Sequence, residues 1–212
     1  MKSLVSVLAI LAVAVGEARA QESIEVSTLV VLTGDQDSDR GKSGPRPDED
    51  AWRGSVRLFL GAKDLNEAEW APVDEQGEFA FLIDAGRADW DVRLAIDFRF
   101  ASSDDEDLFG VNVSSGTFEI NIGVRKVFDT GSIVMPYLGG GLAFGGATLE
   151  IDDAEESDEG IGIWFDAGVD FKILGPITLG LEISLSSIPI DIAGLDANAG
   201  GIRIGLTIGY TW

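Results

Sequence analysis

From Ser55 to the C-terminus, apolar residues alternate with polar or minimal ones in eight runs, at 55–62, 78–86, 91–101, 117–127, 132–144, 161–172, 177–186 and 201–212. A period of two is the repeat of a β-strand with one greasy face, so each run predicts a strand. The connections alternate in length. Arg87 to Trp90, Phe128 to Gly131 and Ile173 to Pro176 are short and carry Gly, Asp or Pro, which predicts tight turns. Lys63 to Gly77, Ser102 to Gly116, Gly145 to Gly160 and Ser187 to Gly200 each exceed ten residues and predict loops.

The two faces of these strands differ in kind. One collects Leu58, Phe81, Leu94, Ile120, Phe165, Ile183 and their apolar neighbours. The other carries Arg57, Asp84, Arg93, Asp97, Arg99, Glu119, Arg125, Asp166, Asp170, Lys172, Glu182 and Arg203, six bases and six acids. A water-soluble sandwich turns its apolar face inward and has no reason to balance the charges left outside. A closed interior with little room for water must pair them, because an unpaired buried charge costs several kcal/mol. The balance therefore predicts a barrel with its charged face inward and its apolar face toward lipid.

The closing run is the most regular. Ile202, Ile204, Leu206, Ile208, Tyr210 and Trp212 alternate without a break with Arg203, Gly205, Thr207, Gly209 and Thr211. At ~3.3 Å per residue, eleven residues reach roughly 36 Å, and a tilt of about 40° brings that near the ~25 Å apolar band of an outer-membrane barrel. This stretch resembles the last strand of Gram-negative outer-membrane β-barrels. The Pro136-Tyr137 pair and the glycines of Leu138 to Phe144 resemble a strand of small barrels of the OmpA and OmpW type. Glycines there would let a narrow barrel bend and leave room for large neighbours. The resemblance covers 53–212 and implies an eight-stranded antiparallel up-and-down transmembrane β-barrel in the cell outer membrane. It also implies that Tyr210 and Trp212 form an assembly signal read by the barrel assembly machinery. Its functional implication is a structural, surface-interaction or adhesive role with a side-chain-filled lumen, or alternatively a narrow channel for small or hydrophobic solutes. Trp90, Phe128 and Trp212 are expected at the periplasmic rim, as aromatic girdle residues.

The N-terminal quarter reads differently. Met1-Lys2, the apolar run Leu4 to Val15 and Ala18-Arg19-Ala20 form a cleavable signal peptide over 1–20, too short to span a bilayer. Residues 21–52 form an acidic periplasmic leader, in which Ile24 to Leu32 has the composition of a short strand and Gly34 to Asp50 that of a loop. Gly41-Lys42-Ser43 ends like a phosphate-binding loop, but the earlier glycine of that motif falls on Gln36. Asp35, Asp37 and Asp39 alternate like calcium-loop ligands, but the turn glycine comes one position late and the twelfth position is Arg46.

Charge narrows the partners. The 212 residues carry 37 acidic against 15 basic groups, a formal charge of -22, which excludes nucleic acid because phosphate binding needs a basic surface. No Cys or His is present, so disulfides, thiolate metal sites and His-based catalysis are excluded. No cofactor is implied. Asp166 and Asp170 are the remaining candidates for carboxylate chemistry, and structural pairing with Lys172 or Arg203 is the expected role. Glu150, Glu155, Glu156, Asp158 and Glu159 crowd one long connection and Asp104 and Glu106 another. They read first as a solvated, repulsive surface, and second as sites for divalent cations beside the outer-membrane lipid and lipopolysaccharide. An outer-membrane enzyme and a soluble lipocalin-like binding barrel remain the readings from other classes.

Overall fold

The structure, a computed structural model, describes residues 51–106, 112–128, 131–151, 154–192 and 194–212. The expected signal peptide, the leader up to Asp50 and the strand expected at 24–32 lie outside them. Eight strands form a closed antiparallel barrel: β1 (Trp52–Asp64), β2 (Glu75–Arg87), β3 (Arg93–Glu106), β4 (Asn112–Val127), β5 (Val134–Ile151), β6 (Ala154–Leu174), β7 (Ile177–Ser187) and β10 (Gly201–Thr211). Around the wall the order is β1-β10-β7-β6-β5-β4-β3-β2. The seam between first and last strands pairs Val56 with Tyr210 and Leu58 with Ile208.

Each of the eight expected strands is present, but the expected long loops need correction. β5 and β6 run on together through Gly145 to Gly160 as far as the Ile151–Ala154 pair, and β3 and β4 pair as far as Glu106 and Asn112. Acidic residues on both faces of those extensions leave no amphipathic alternation, which is why their sequence reads as loop. Within Lys63 to Gly77 lies a single helical turn, α1 (Glu67–Trp70), and within Ser187 to Gly200 a small hairpin, β8 (Pro189–Ile192) with β9 (Leu195–Asn198). The connections at 87–90 and 173–176 turn as expected. Gly131 (φ 69°) and Gly175 (φ 57°) occupy left-handed positions in the short connections, where a side chain would be strained.

The outer wall is apolar and the interior polar. Leu94 (58% exposed), Leu181 and Ile204 face outward, while Asp84, Asp97 and Arg125 are wholly buried. Interior glycines make room for large side chains. A Cβ at Gly168 would meet the Tyr137 ring and one at Gly205 the Phe59 ring. In β5, a Cβ at Gly139 would collide with Asp166, whereas one at Gly141 would collide with the backbone of β4. Gly139 therefore makes the room expected of the glycines, and Gly141 allows a close approach of β4 and β5.

At the long-connection end α1 and the β8–β9 hairpin fold over the mouth. Leu65, Trp70, Ile188, Ile190 and Ile192 bury together there, above Ala143, Ala147 and Trp164. Asn198 organises this cap. Its Oδ1 accepts from Ile188 N (2.7 Å) and Gly200 N (2.9 Å), its carbonyl from Trp70 Nε1 (3.0 Å), and its N–H donates to Glu69 Oε2 (2.9 Å). At the other end Trp52, Trp90, Phe128 and Trp212 are exposed at the rim, with Trp52 and Trp90 edge to face at 6.0 Å.

Candidate functional site: a lumen crossed by ion pairs

The inward positions of neighbouring strands lie at matching levels, so charges on different strands meet inside. Toward the short-turn end Arg57 sits between Asp84 (3.0 Å) and Asp170 (3.2 Å). Asp84 also accepts from Arg93 (2.8 Å) and Ser55 Oγ (2.5 Å). At mid-height Arg125 joins Asp97 (2.9 Å) and Asp166, and Arg99 joins Glu78 (2.9 Å) and Glu182 (2.5 Å). Nearer the cap Arg203 bridges Glu78 (2.6 Å) and Glu119. Such charge-assisted contacts are about twice as strong as neutral hydrogen bonds and are what makes burial of these charges tolerable.

Aromatic side chains fill the space between the charges. The Arg57 guanidinium lies 4.2 Å from the centre of the Tyr137 ring and Arg99 5.3 Å from that of Phe59, while Arg125 lies 5.6 Å from the centres of Tyr137 and Trp164. Tyr137 Oη donates to Glu182 Oε2 at 2.7 Å. Cation–π contact in a desolvated interior adds to the pairing and removes open volume.

Of the twelve inward charges expected from sequence, Arg57, Asp84, Asp97, Arg99, Glu119, Arg125, Asp166, Asp170, Glu182 and Arg203 are buried in the lumen. Arg93 and Lys172 are half-buried at its short-turn mouth. The expected partners of Asp166 and Asp170 need correction: Arg125 and Arg57 hold them, while Arg203 pairs with Glu78 and Glu119. Two further charges belong to the interior. Lys63, expected in a loop, is 1% exposed and donates to Thr117 Oγ1 (2.8 Å), Glu119 (3.2 Å) and the Ala199 carbonyl (2.7 Å). Glu78 holds Arg99 and Arg203 together. Parity alone could have placed both, since Lys63 is six positions from Arg57 and Glu78 six from Asp84.

The arrangement pairs buried charge with buried charge. Among the described residues no cluster of three or more Asp, Glu, His or Cys converges as metal ligands, and no helix is long and apolar enough to cross a membrane.

An apolar outer wall, a paired polar interior and a closed ladder define a small membrane-spanning β-barrel. The chain belongs to the outer membrane protein beta-barrel domain family, whose model matches residues 5–210. It is accordingly a protein of the outer membrane, with short turns on the periplasmic side and long connections outside. Solved structures agree on the fold. Neisserial surface protein A aligns with TM-score 0.53 and 16% identity over 76% of this chain and 97% of its own. OprG from Pseudomonas aeruginosa aligns with TM-score 0.57 and 13% identity over 77% and 97%. Ail of Yersinia pestis, in complex with the heparin analogue sucrose octasulfate, aligns with TM-score 0.52 and 13% identity over 75% and 99%. Among curated protein sequences no significant match is found.

Proposed function

We propose that this protein is a closed, surface-displaying barrel with a structural or adhesive role, rather than a pore. The observation that carries the reading is the set of ion pairs spanning the lumen, Arg99–Glu182 and Arg203–Glu119 above all, with the apolar cap over the external mouth as support. Eight strands enclose only enough space to be filled by side chains. A narrow channel would require these pairs to part. The external surface is then the working part, and its strand extensions are acidic: Asp104, Glu150, Glu155, Glu156, Asp158 and Glu159 stand there with no base among the described residues. Polyanion binding of the kind seen in the Ail complex is therefore not proposed for this chain. Outer-membrane lipid and lipopolysaccharide surround the wall, divalent cations would screen the acidic extensions, and the barrel assembly machinery is the partner proposed for the Tyr210–Trp212 end. The reading assigns no reaction and no cofactor. Planar-bilayer recording tests it: the refolded protein should give no large steady conductance, and a stable ohmic channel would overturn the reading.

A further inference from the structure

The outer wall changes character where it nears the external surface. Leu60, Phe79, Phe100 and Phe118 pair in register across β1 to β4 and form one outward row. The next outward row toward the outside is small: Ala62, Gly77, Ser102 and Gly116, continued on β5 by Thr148. Two residues further along the same strands stand Asp64, Glu75, Asp104 and Glu150, all exposed. A low row between two raised ones makes a trough, and a cavity of about 650 Å³ lies there, lined by the aromatic row with Gly77, Ser102, Gly116 and Thr148. Its floor is open, since a Cβ at Gly77 or Gly116 would meet nothing within 4 Å. Leu60 lies eight residues from Trp52, and Phe118 ten from Phe128. At ~3.3 Å per residue and a tilt of about 40°, the aromatic row stands roughly 20–25 Å from the periplasmic girdle, at the external edge of the apolar band, with the acids beyond it in the headgroup layer.

The sequence places no Lys or Arg between Lys63 and Arg87, between Arg99 and Arg125, or between Lys126 and Lys172, and Lys63 itself turns into the lumen. The external parts of β2 to β6 therefore carry acids as their only charges. We propose that the trough binds a single-chain cationic amphiphile, with its alkyl chain against the phenyl rings and its ammonium group facing the acidic row. Width makes the first selection. Phe79 and Glu75 are four residues apart, roughly 13 Å along the strand, and the side chains of both rows take up part of that distance. One alkyl chain fits, whereas a helix of ~10–12 Å diameter does not. Charge makes the second selection. A phosphate-bearing lipid would bring its anion against the acids, while an ammonium is drawn to them, the more strongly because the headgroup layer is less polar than bulk water. The trough lies outside the lumen, so the proposal stands or falls independently of whether the barrel conducts.

The test uses the full chain refolded in phosphatidylcholine vesicles and a long-chain alkylamine that carries a photoreactive diazirine midway along its chain. After irradiation, mass spectrometry of the digested protein should place the adducts at 77–79, 100–102 and 116–118. Unlabelled dodecylamine should compete, and dodecanol, of the same chain length without the charge, should not. Gly77→Phe with Gly116→Phe fills the floor, and Glu75→Gln with Asp104→Asn and Glu150→Gln removes the charge. Each variant, first checked for heat-modifiable folding, should lower the adduct yield at these positions at least fivefold. Ala167→Phe, on β6 between Leu138 and Ile183 and away from the trough, should leave it unchanged. Adducts spread evenly around the wall, equal competition by dodecanol, or unchanged yields in both trough variants would overturn the proposal. Competition by lipid A with calcium but not by dodecylamine would also overturn it, and would assign the trough to a cation-bridged lipid phosphate.

Discussion

Arg99 Nη2 and Glu182 Oε1 meet at 2.5 Å although their strands, β3 and β7, stand on opposite sides of the barrel, four places apart in a ring of eight. Arg203 and Glu119, on β10 and β4, stand in the same relation one layer nearer the cap. Contacts between opposed strands cross the lumen, so buried charges pair there where an ordinary core would hold grease.

Removing one member of such a pair should cost far more than removing both. Glu182→Ala leaves Arg99 with less compensation and takes the acceptor from Tyr137, and should destabilise the barrel by about 3–5 kcal/mol. The double change Arg99→Met with Glu182→Leu should recover most of that loss, because apolar side chains of similar volume need no partner. Urea unfolding in lipid vesicles, followed by heat-modifiability, measures both. Equal losses in the single and double variants would show that the pair is not coupled.

How far the sequence revealed this depends on which face of the alternation was readable. The wall was legible because Leu58, Leu94, Ile120 and Leu206 repeat at period two, and a lipid-facing strand has no other way to satisfy its surroundings. The lumen was legible where a charge interrupted that repeat, as at Arg57, Asp97 and Arg125. It was obscure where an inward position carried grease: Phe59, Leu82, Tyr137 and Trp164 fill the interior and cannot be told by residue type from wall residues. Lys63 was missed because the run was closed at Ala62, although its parity continues that of Arg57. The partners were beyond reach, since which strands face each other depends on barrel closure, not on spacing along the chain. The cap was hidden for a different reason. Ile188, Ile190 and Ile192 alternate, but three apolar residues in a stretch that also holds Pro189 and Gly194 are too few to separate a hairpin from a loop.

The seam between β1 and β10 depends on Trp212. Its N–H donates to Gly54 O at 3.0 Å and its carbonyl accepts from Gly54 N at 3.2 Å, while its ring lies where a Gly54 side chain would be. Trp212→Asp places a charge at the girdle and removes that packing. It should lower the yield of folded, heat-modifiable protein in outer membranes severalfold, as measured by gel shift of membrane fractions. Normal yields would show that the seam closes without the ring.

Charge on the wall should be costly and charge on the cap's outer surface should not. Ile183→Arg, on an outward mid-strand position, should destabilise by about 2–4 kcal/mol because lipid cannot solvate a guanidinium, and Leu94→Arg, outward one residue into β3, should cost less, as it lies nearer the interface. Leu195→Arg, at a residue 72% exposed on the external hairpin, should stay within about 0.5 kcal/mol of the parent. Equilibrium unfolding in vesicles compares the three, and similar effects at all of them would mean that the hairpin, too, is bathed in lipid.

The cap and the ion-pair network are separate closures, and Asn198 distinguishes them. Asn198→Ala leaves Ile188 N and Gly200 N without the oxygen that accepts both, at a cost of about 1–3 kcal/mol for a buried donor left unpaired. That cost falls on the hairpin and α1, because the strands below are held by their own ladder and by the charges beneath. Amide exchange should therefore accelerate over 188–199 and 65–73 while the exchange of β3, β4 and β7 stays slow. Conductance should remain at baseline in the same variant, since Arg99–Glu182 and Arg203–Glu119 still cross the lumen below the loosened cap. A steady current from Asn198→Ala would place the barrier in the cap, and the charges beneath it would then line a path rather than fill it.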